Sequence, residues 1–324
     1  MQALCCGSDS GEVRDLSRKS SEAHKIFTPI KGGGHLLVLL CVIFCRAFSF
    51  LLDPPMKFLV IDRKHRYKTN RELAPFFLSV RNRLIADLRI DLDYDLRDNS
   101  LKSAPILHVF SHGGPYSWLA TVAAMGAHYC ENGLGDRRIT GVFHRMLYEI
   151  PGVGYWLRRN FGETLKYDGY LQLLKQRLVN DLALFPEGDL CVFGNAVDIG
   201  RFRSSRFVEL ALESGAQICV YATVGHEAWN RVVPLDRFKT WQKFRDRLPL
   251  PRSLRESESI VLPWLPQRLE QLQMRGALFT PELKLEDLSS NLEERRQQLD
   301  REAERIRAAM QGVVDSLKDF RKAA

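Results

Sequence analysis

Common signatures of chemistry are missing from this chain of 324 residues. It has no Gly-x-Ser-x-Gly elbow, no phosphate loop ending in Gly-Lys-Ser/Thr and no His-Glu-x-x-His. Gly152-Val153-Gly154 lacks a third glycine and a preceding strand, so it is no dinucleotide fingerprint. The seven cysteines (Cys5, Cys6, Cys41, Cys45, Cys130, Cys191, Cys219) contain no Cys-x-x-Cys pair. An odd number this sparse is no disulfide framework, which fits a reducing compartment and gives no reason to expect a metal. Cys5-Cys6 reads as part of a tail rather than as a lipidation site.

The composition is that of a globular protein, with 45% hydrophobic and 27% charged residues. It excludes a wholly disordered chain, a collagen and a polytopic membrane protein. Lys plus Arg total 47 against 39 Asp plus Glu, a net charge of +8. That excess suits an anionic partner: a lipid headgroup surface, a phosphorylated cofactor or nucleic acid. No RNA or DNA motif and no basic/aromatic array accompanies it, so nucleic acid is not expected.

Residues 1–34 are rich in Ser, Gly and charge and read as a flexible tail. Residues 35–52 form the apolar run HLLVLLCVIFCRAFSFLL, stopped by Asp53-Pro54-Pro55. As a helix it is about 25 Å long, short of the ~30 Å hydrocarbon core. Arg46 lies inside it, and a charge at mid-bilayer costs roughly 2.5–3.5 kcal/mol. Residues 35–55 are therefore expected to be an in-plane or re-entrant membrane-contacting helix, with Arg46 snorkelling to the headgroups. The competing reading is a buried core helix, and a start at Met56 would remove the segment altogether.

From residue 56 to 280 strands and helices alternate. Residues 106–110 (ILHVF), 138–143, 182–185 and 218–224 read as strands. Residues 115–129, 155–159, 171–178 and 206–214 read as helices, the last stopped by Gly215. The expected fold is α/β: a mixed, largely parallel sheet flanked by helices. Residues 281–324 are expected to add a long charged amphipathic helix over 282–320. Leu285, Leu288, Leu292, Leu299, Ile306, Met310, Val313, Leu317 and Phe320 mark its apolar stripe. Its seam is interrupted at Arg295 and at Glu302 or Ala303. That favours packing on its own domain over a coiled coil, with self-association through this helix the alternative.

Chemistry is expected at the carboxyl ends of the strands. His112 follows ILHVF directly, in Ser111-His112-Gly113-Gly114-Pro115-Tyr116-Ser117. The run Leu184-Phe185-Pro186-Glu187-Gly188-Asp189 leaves a second strand, and the basic stretch Arg201-Phe202-Arg203-Ser204-Ser205-Arg206 opens a helix, a plausible anion site. A strand ending in Gly225-His226-Glu227 comes next. His108 is expected to point into the sheet packing.

This ordered set resembles the lysophospholipid/glycerolipid acyltransferase family over about residues 100–230. The family pattern is His-x-x-x-x-Asp after a strand, a segment like residues 144–154, Phe-Pro-Glu-Gly-x-Arg, and a closing β-branched strand. Phe185-Pro186-Glu187-Gly188 matches the third block literally. The glycines after His112 and the ending Val224-Gly225-His226-Glu227 are nearer the monoacylglycerol-acyltransferase-like subgroup. The resemblance implies transfer of a fatty acyl group from acyl-CoA or acyl carrier protein to a lipid-like hydroxyl or amine, at the cytoplasmic face of a membrane. It implies no metal and no cofactor beyond that thioester co-substrate. His112 would be the general base and Ser117 would orient its ring. Gly113, Gly114, Glu187, Gly188, Arg203 and Arg206 would bind substrate. Two positions depart from the pattern: Ser117 stands where the family has aspartate, and Leu190 where it has the arginine that holds an acceptor phosphate. Those departures also admit a degenerate, non-catalytic lipid-binding protein.

Overall fold

The computed structural model describes residues 67–323 except 97, 115, 150–151, 189–190, 192–196, 235–258 and 264–266. The tail expected over residues 1–34 and the membrane-contacting helix expected over 35–55 lie outside the described residues, as does Leu190. Among the described residues, no helix is long and apolar enough to cross a membrane.

The elements run α1 (Asn70–Leu84), β1 (Ile85–Leu92), α2 (Asn99–Ser103), β2 (Ile106–Phe110), α3 (Ser117–Glu131), β3 (Ile139–Gly141), α4 (Arg145–Glu149), α5 (Val153–Phe161), α6 (Tyr167–Lys175), β4 (Asp181–Leu184), α7 (Arg206–Ser214), β5 (Gln217–Val224), β6 (Asn230–Pro234), β7 (Ser259–Pro263), β8 (Leu269–Phe279) and α8 (Leu292–Ala323). Six strands form one sheet in the order β1-β8-β5-β2-β4-β3, and β6 and β7 form a separate antiparallel pair. β5, β2, β4 and β3 are mutually parallel. β8 runs antiparallel to β5 and parallel to β1. The sheet is thus mixed and mostly parallel, as the alternation predicts.

The central strands are apolar without interruption because both faces of the sheet are covered. Leu107 and Val109 join a core with Leu171 and Leu174 of α6, Val208 and Ala211 of α7, and Ile306 and Met310 of α8. The opposite face of β2 meets α3, where His108 is buried edge-on against Tyr129 with ring centroids 5.3 Å apart. His108 therefore packs into the sheet as expected.

That second face holds a buried polar network. Tyr221 Oη lies 2.9 Å from His108 Nδ1, 2.6 Å from Tyr94 Oη and 3.2 Å from Tyr129 Oη. Beyond His108, Asp181 is fully buried and accepts from Arg137 through both of its oxygens. The guanidinium also donates to the carbonyls of Leu101, Lys102, Ala104 and Asn180. Burial pushes the Asp181 carboxyl up, but His108 and the Arg137 guanidinium together hold it below its ordinary range.

The C-terminal helix begins at Leu292, not at residue 282 as the apolar spacing suggests. Asn291 explains the boundary: its Oδ1 accepts from the amides of Glu293 and Glu294, a capping arrangement that starts a helix there. Leu285 sits instead in a short 3-10 turn, and Leu292, placed on the apolar stripe by sequence, is 83% exposed. The fully buried part of the stripe is Leu299, Ala303, Ile306, Met310 and Val314, in the core of the same chain, with Leu288, Val313 and Leu317 partly buried against it. Each large member contributes roughly 1.5–3 kcal/mol of burial.

Candidate functional site

The register of β2 and β4 creates the site. Val109 pairs with Leu184, so His112 and Glu187, each three residues further on, leave adjacent parallel strands at the same edge. The two meet through the backbone: His112 N donates to Glu187 Oε1 at 2.8 Å, and Gly200 N donates to Glu187 Oε2 at 2.7 Å. Arg203 N donates to Pro186 O at 2.8 Å, closing the basic stretch onto the same turn. The C-terminal helix braces this loop. Ile199 N donates to Gln311 Oε1 at 2.8 Å, and Arg307 donates to Ile199 O. Gln311 thus steadies Ile199, next to it Gly200 holds Glu187, and Glu187 holds His112.

Ser117, the first residue of α3, is buried and sets the tautomer of the ring. Its Oγ is 2.8 Å from Gly114 O and 3.3 Å from His112 Nδ1. A carbonyl only accepts, so the single hydroxyl proton goes to Gly114 O. Ser117 then offers Nδ1 a lone pair, Nδ1 carries the ring proton, and Nε2 keeps its own lone pair. The ring packs at a steep angle against Phe185, with centroids 5.0 Å apart. Cys191 Sγ lies 3.5 Å from Nε2.

Gly113 and Gly114 make room for protein side chains rather than for open approach. A Cβ on Gly113 would lie 1.5 Å from Nε2 of the buried His226, and one on Gly114, at φ +127, would lie 2.3 Å from Asn230 Oδ1. Asn230 fixes this corner, donating to Gly113 O at 2.7 Å.

The electrostatics of the two central groups run in opposite directions. Burial pushes the His112 ring down to about 4, partly opposed by the Gly114 carbonyl and reinforced by His226. Burial raises the Glu187 carboxyl to about 7, against the pull of its two amide donors and Arg307. The depressed histidine removes stability as pH falls from 6.5 towards 4, and the raised glutamate removes it as pH rises from 4.5 towards 7. Between about pH 4.5 and 6.5 the folded pair holds one proton, on Glu187, and the unfolded pair also holds one, on the imidazole. Equal proton numbers give no slope. Glu187→Gln is expected to unmask the histidine, so that this variant gains stability relative to wild type as pH rises through that window. Urea midpoints measured across it check the slope, and parallel curves for the two proteins refute the assignment.

The sequence-predicted residues divide cleanly. His112, Gly113, Gly114, Ser117, Glu187 and Gly188 are brought together, with Arg203 beside them: its Cδ is 3.5 Å from where a Cβ on Gly188 would lie. Arg206 is engaged elsewhere, stacked over the Tyr167 ring at 4.3 Å and 3.9 Å from Glu209. The stretch of arginines therefore does not act as one cluster, because α7 turns Arg206 towards α6. Sequence reading missed Cys191, Gly200, Asn230 and Arg307. Of these only Cys191 carried a local signal, four residues after Glu187 on the same loop. No protein-family model matches the chain, and no curated protein matches it either.

Proposed function

We propose that this protein is an acyltransferase that moves a fatty acyl group from acyl-CoA or acyl carrier protein to a lipid-like hydroxyl or amine at the cytoplasmic face of a membrane. The observation that carries the reading is a neutral imidazole whose Nδ1 is tied to Ser117 and whose Nε2 holds the lone pair. Such a ring is a general base at neutral pH. It takes the proton of the acceptor as the acceptor attacks the thioester carbonyl, and returns it to the leaving thiolate. The amides of Gly113 and Gly114 are the candidates for stabilising the tetrahedral oxyanion. Ser117 supplies orientation without charge, so the imidazolium formed is stabilised less than a carboxylate would stabilise it.

Arg203 is exposed beside the Gly188 turn, where it suits a phosphate of the donor or an anionic headgroup. The net charge of +8 favours the same surfaces. Residues 35–55 would add the membrane contact. The test is the full chain with radiolabelled palmitoyl-CoA and vesicles containing, in turn, monoacylglycerol, diacylglycerol, lysophosphatidate, a fatty alcohol and a long-chain amine. Labelled product on at least one acceptor is expected. Vesicle binding with no product on any acceptor overturns the enzymatic reading in favour of a lipid-binding one.

A further inference from the structure

We propose that Cys191 is a catalytic nucleophile that carries the acyl group as a thioester between two half-reactions. The proposal rests on the acyl-transfer reading and adds a covalent intermediate to it. Three side chains lie in line: Ser117 Oγ at 3.3 Å from Nδ1, the ring of His112, and Cys191 Sγ at 3.5 Å from Nε2. Because Ser117 leaves the proton on Nδ1, Nε2 can only accept, and the thiol of Cys191 is the donor of that contact. A nucleophile against a base, with the base held by a third group, is the arrangement that covalent catalysis requires. Cys191 is a thiol rather than half of a disulfide, and it is 6% exposed. Phe185 packs against the ring, and the burial of the sulfur shields a thioester formed there from water. Glu187, four residues earlier in sequence, accepts from the backbone N–H of His112 and so ties the start of that segment to the base.

The chemistry balances without any further reactant. In the first half-reaction Cys191 gives its proton to Nε2 and its sulfur attacks the donor carbonyl. The bond from the acyl carbon to the carrier sulfur breaks, and the carrier thiolate takes the proton from Nε2. One thioester replaces another, so little free energy is lost. The acylated sulfur has no proton, and Nε2 is released. In the second half-reaction Nε2 takes the acceptor proton as the acceptor attacks the acyl carbon. Cys191 leaves as thiolate and recovers the proton. A single imidazole serves both steps, which accounts for a thiol standing where an acceptor hydroxyl would otherwise sit.

The experiment is intact-mass and peptide mapping of the full chain after incubation with palmitoyl-CoA alone. One acyl adduct is expected on the Cys191 peptide. It should be labile to neutral hydroxylamine, discharged when the productive acceptor is added, and lost in Cys191→Ser and His112→Ala. Multiple-turnover transfer by Cys191→Ala and by Cys191→Ser is expected to fall roughly a hundredfold or more. Two variants, compared with wild type by circular dichroism, separate chemistry from folding, and the wild-type adduct needs no variant at all. Wild-type transfer rates in either Cys191 variant, with transfer lost in His112→Ala, overturn the covalent step and leave direct transfer standing. A wild-type protein that forms neither adduct nor product overturns both readings.

Discussion

His112→Ala is expected to lower acyl transfer by about 10²–10⁴-fold, the usual contribution of a positioned general base. The loss should fall on kcat/KM for every acceptor alike, because the ring acts on the proton common to all of them. Stability should change little. The backbone N–H that anchors the loop belongs to position 112 whatever its side chain, so the bond to Glu187 survives. His108→Ala provides the contrast. His108 is 1% exposed and joins Tyr221 to Asp181, so its removal should lower the unfolding midpoint more than it lowers transfer. Transfer by His112→Ala at the wild-type rate, with near-ultraviolet circular dichroism unchanged, removes the histidine from the mechanism.

Arg137→Ala is expected to be the most destabilising single change, at roughly 3–5 kcal/mol. The side chain is 7% exposed and Asp181 is fully buried, so little solvent screens their interaction. Alanine leaves the Asp181 carboxylate in the interior without the guanidinium that meets both of its oxygens and strips the donor from four main-chain carbonyls at once. Arg137→Lys should recover only part of the loss, since a point ammonium cannot reproduce the fork that meets both Asp181 oxygens. Urea unfolding checks both variants. A loss under about 1 kcal/mol for alanine would mean that the pair adds little beyond its own cost of burial.

Several elements were legible because their signals are local. The helix over residues 206–214 lies where its amphipathic spacing puts it, and Gly215, at φ +65, ends it as glycine at a helix end does. ILHVF reads as a strand because it is buried at every position. β1 and β8 gave no comparable apolar run. Their polar positions are matched across the pair instead, Gln271 to Asp87 and Arg275 to Asp91, and such matching is visible only once the register is known. The site divides in the same way. His112 and Glu187 follow strands in short distinctive blocks, and the parallel register then brings them together. Asn230 reaches Gly113 across 117 residues, and Gln311 reaches Ile199 across 112, separations over which single-chain spacing carries no information.

The bond from Ile199 to Gln311 has a consequence for biosynthesis. Strands β2 and β4 and the Phe-Pro-Glu-Gly turn emerge from the ribosome well before α8 does, yet that helix braces the segment at Ile199 and Gly200 that holds Glu187. A nascent chain halted before residue 311 would have all of its reactive side chains and still lack the prop that aligns them. Competence would therefore arrive late in translation, after the apolar sheet has had time to find its partners.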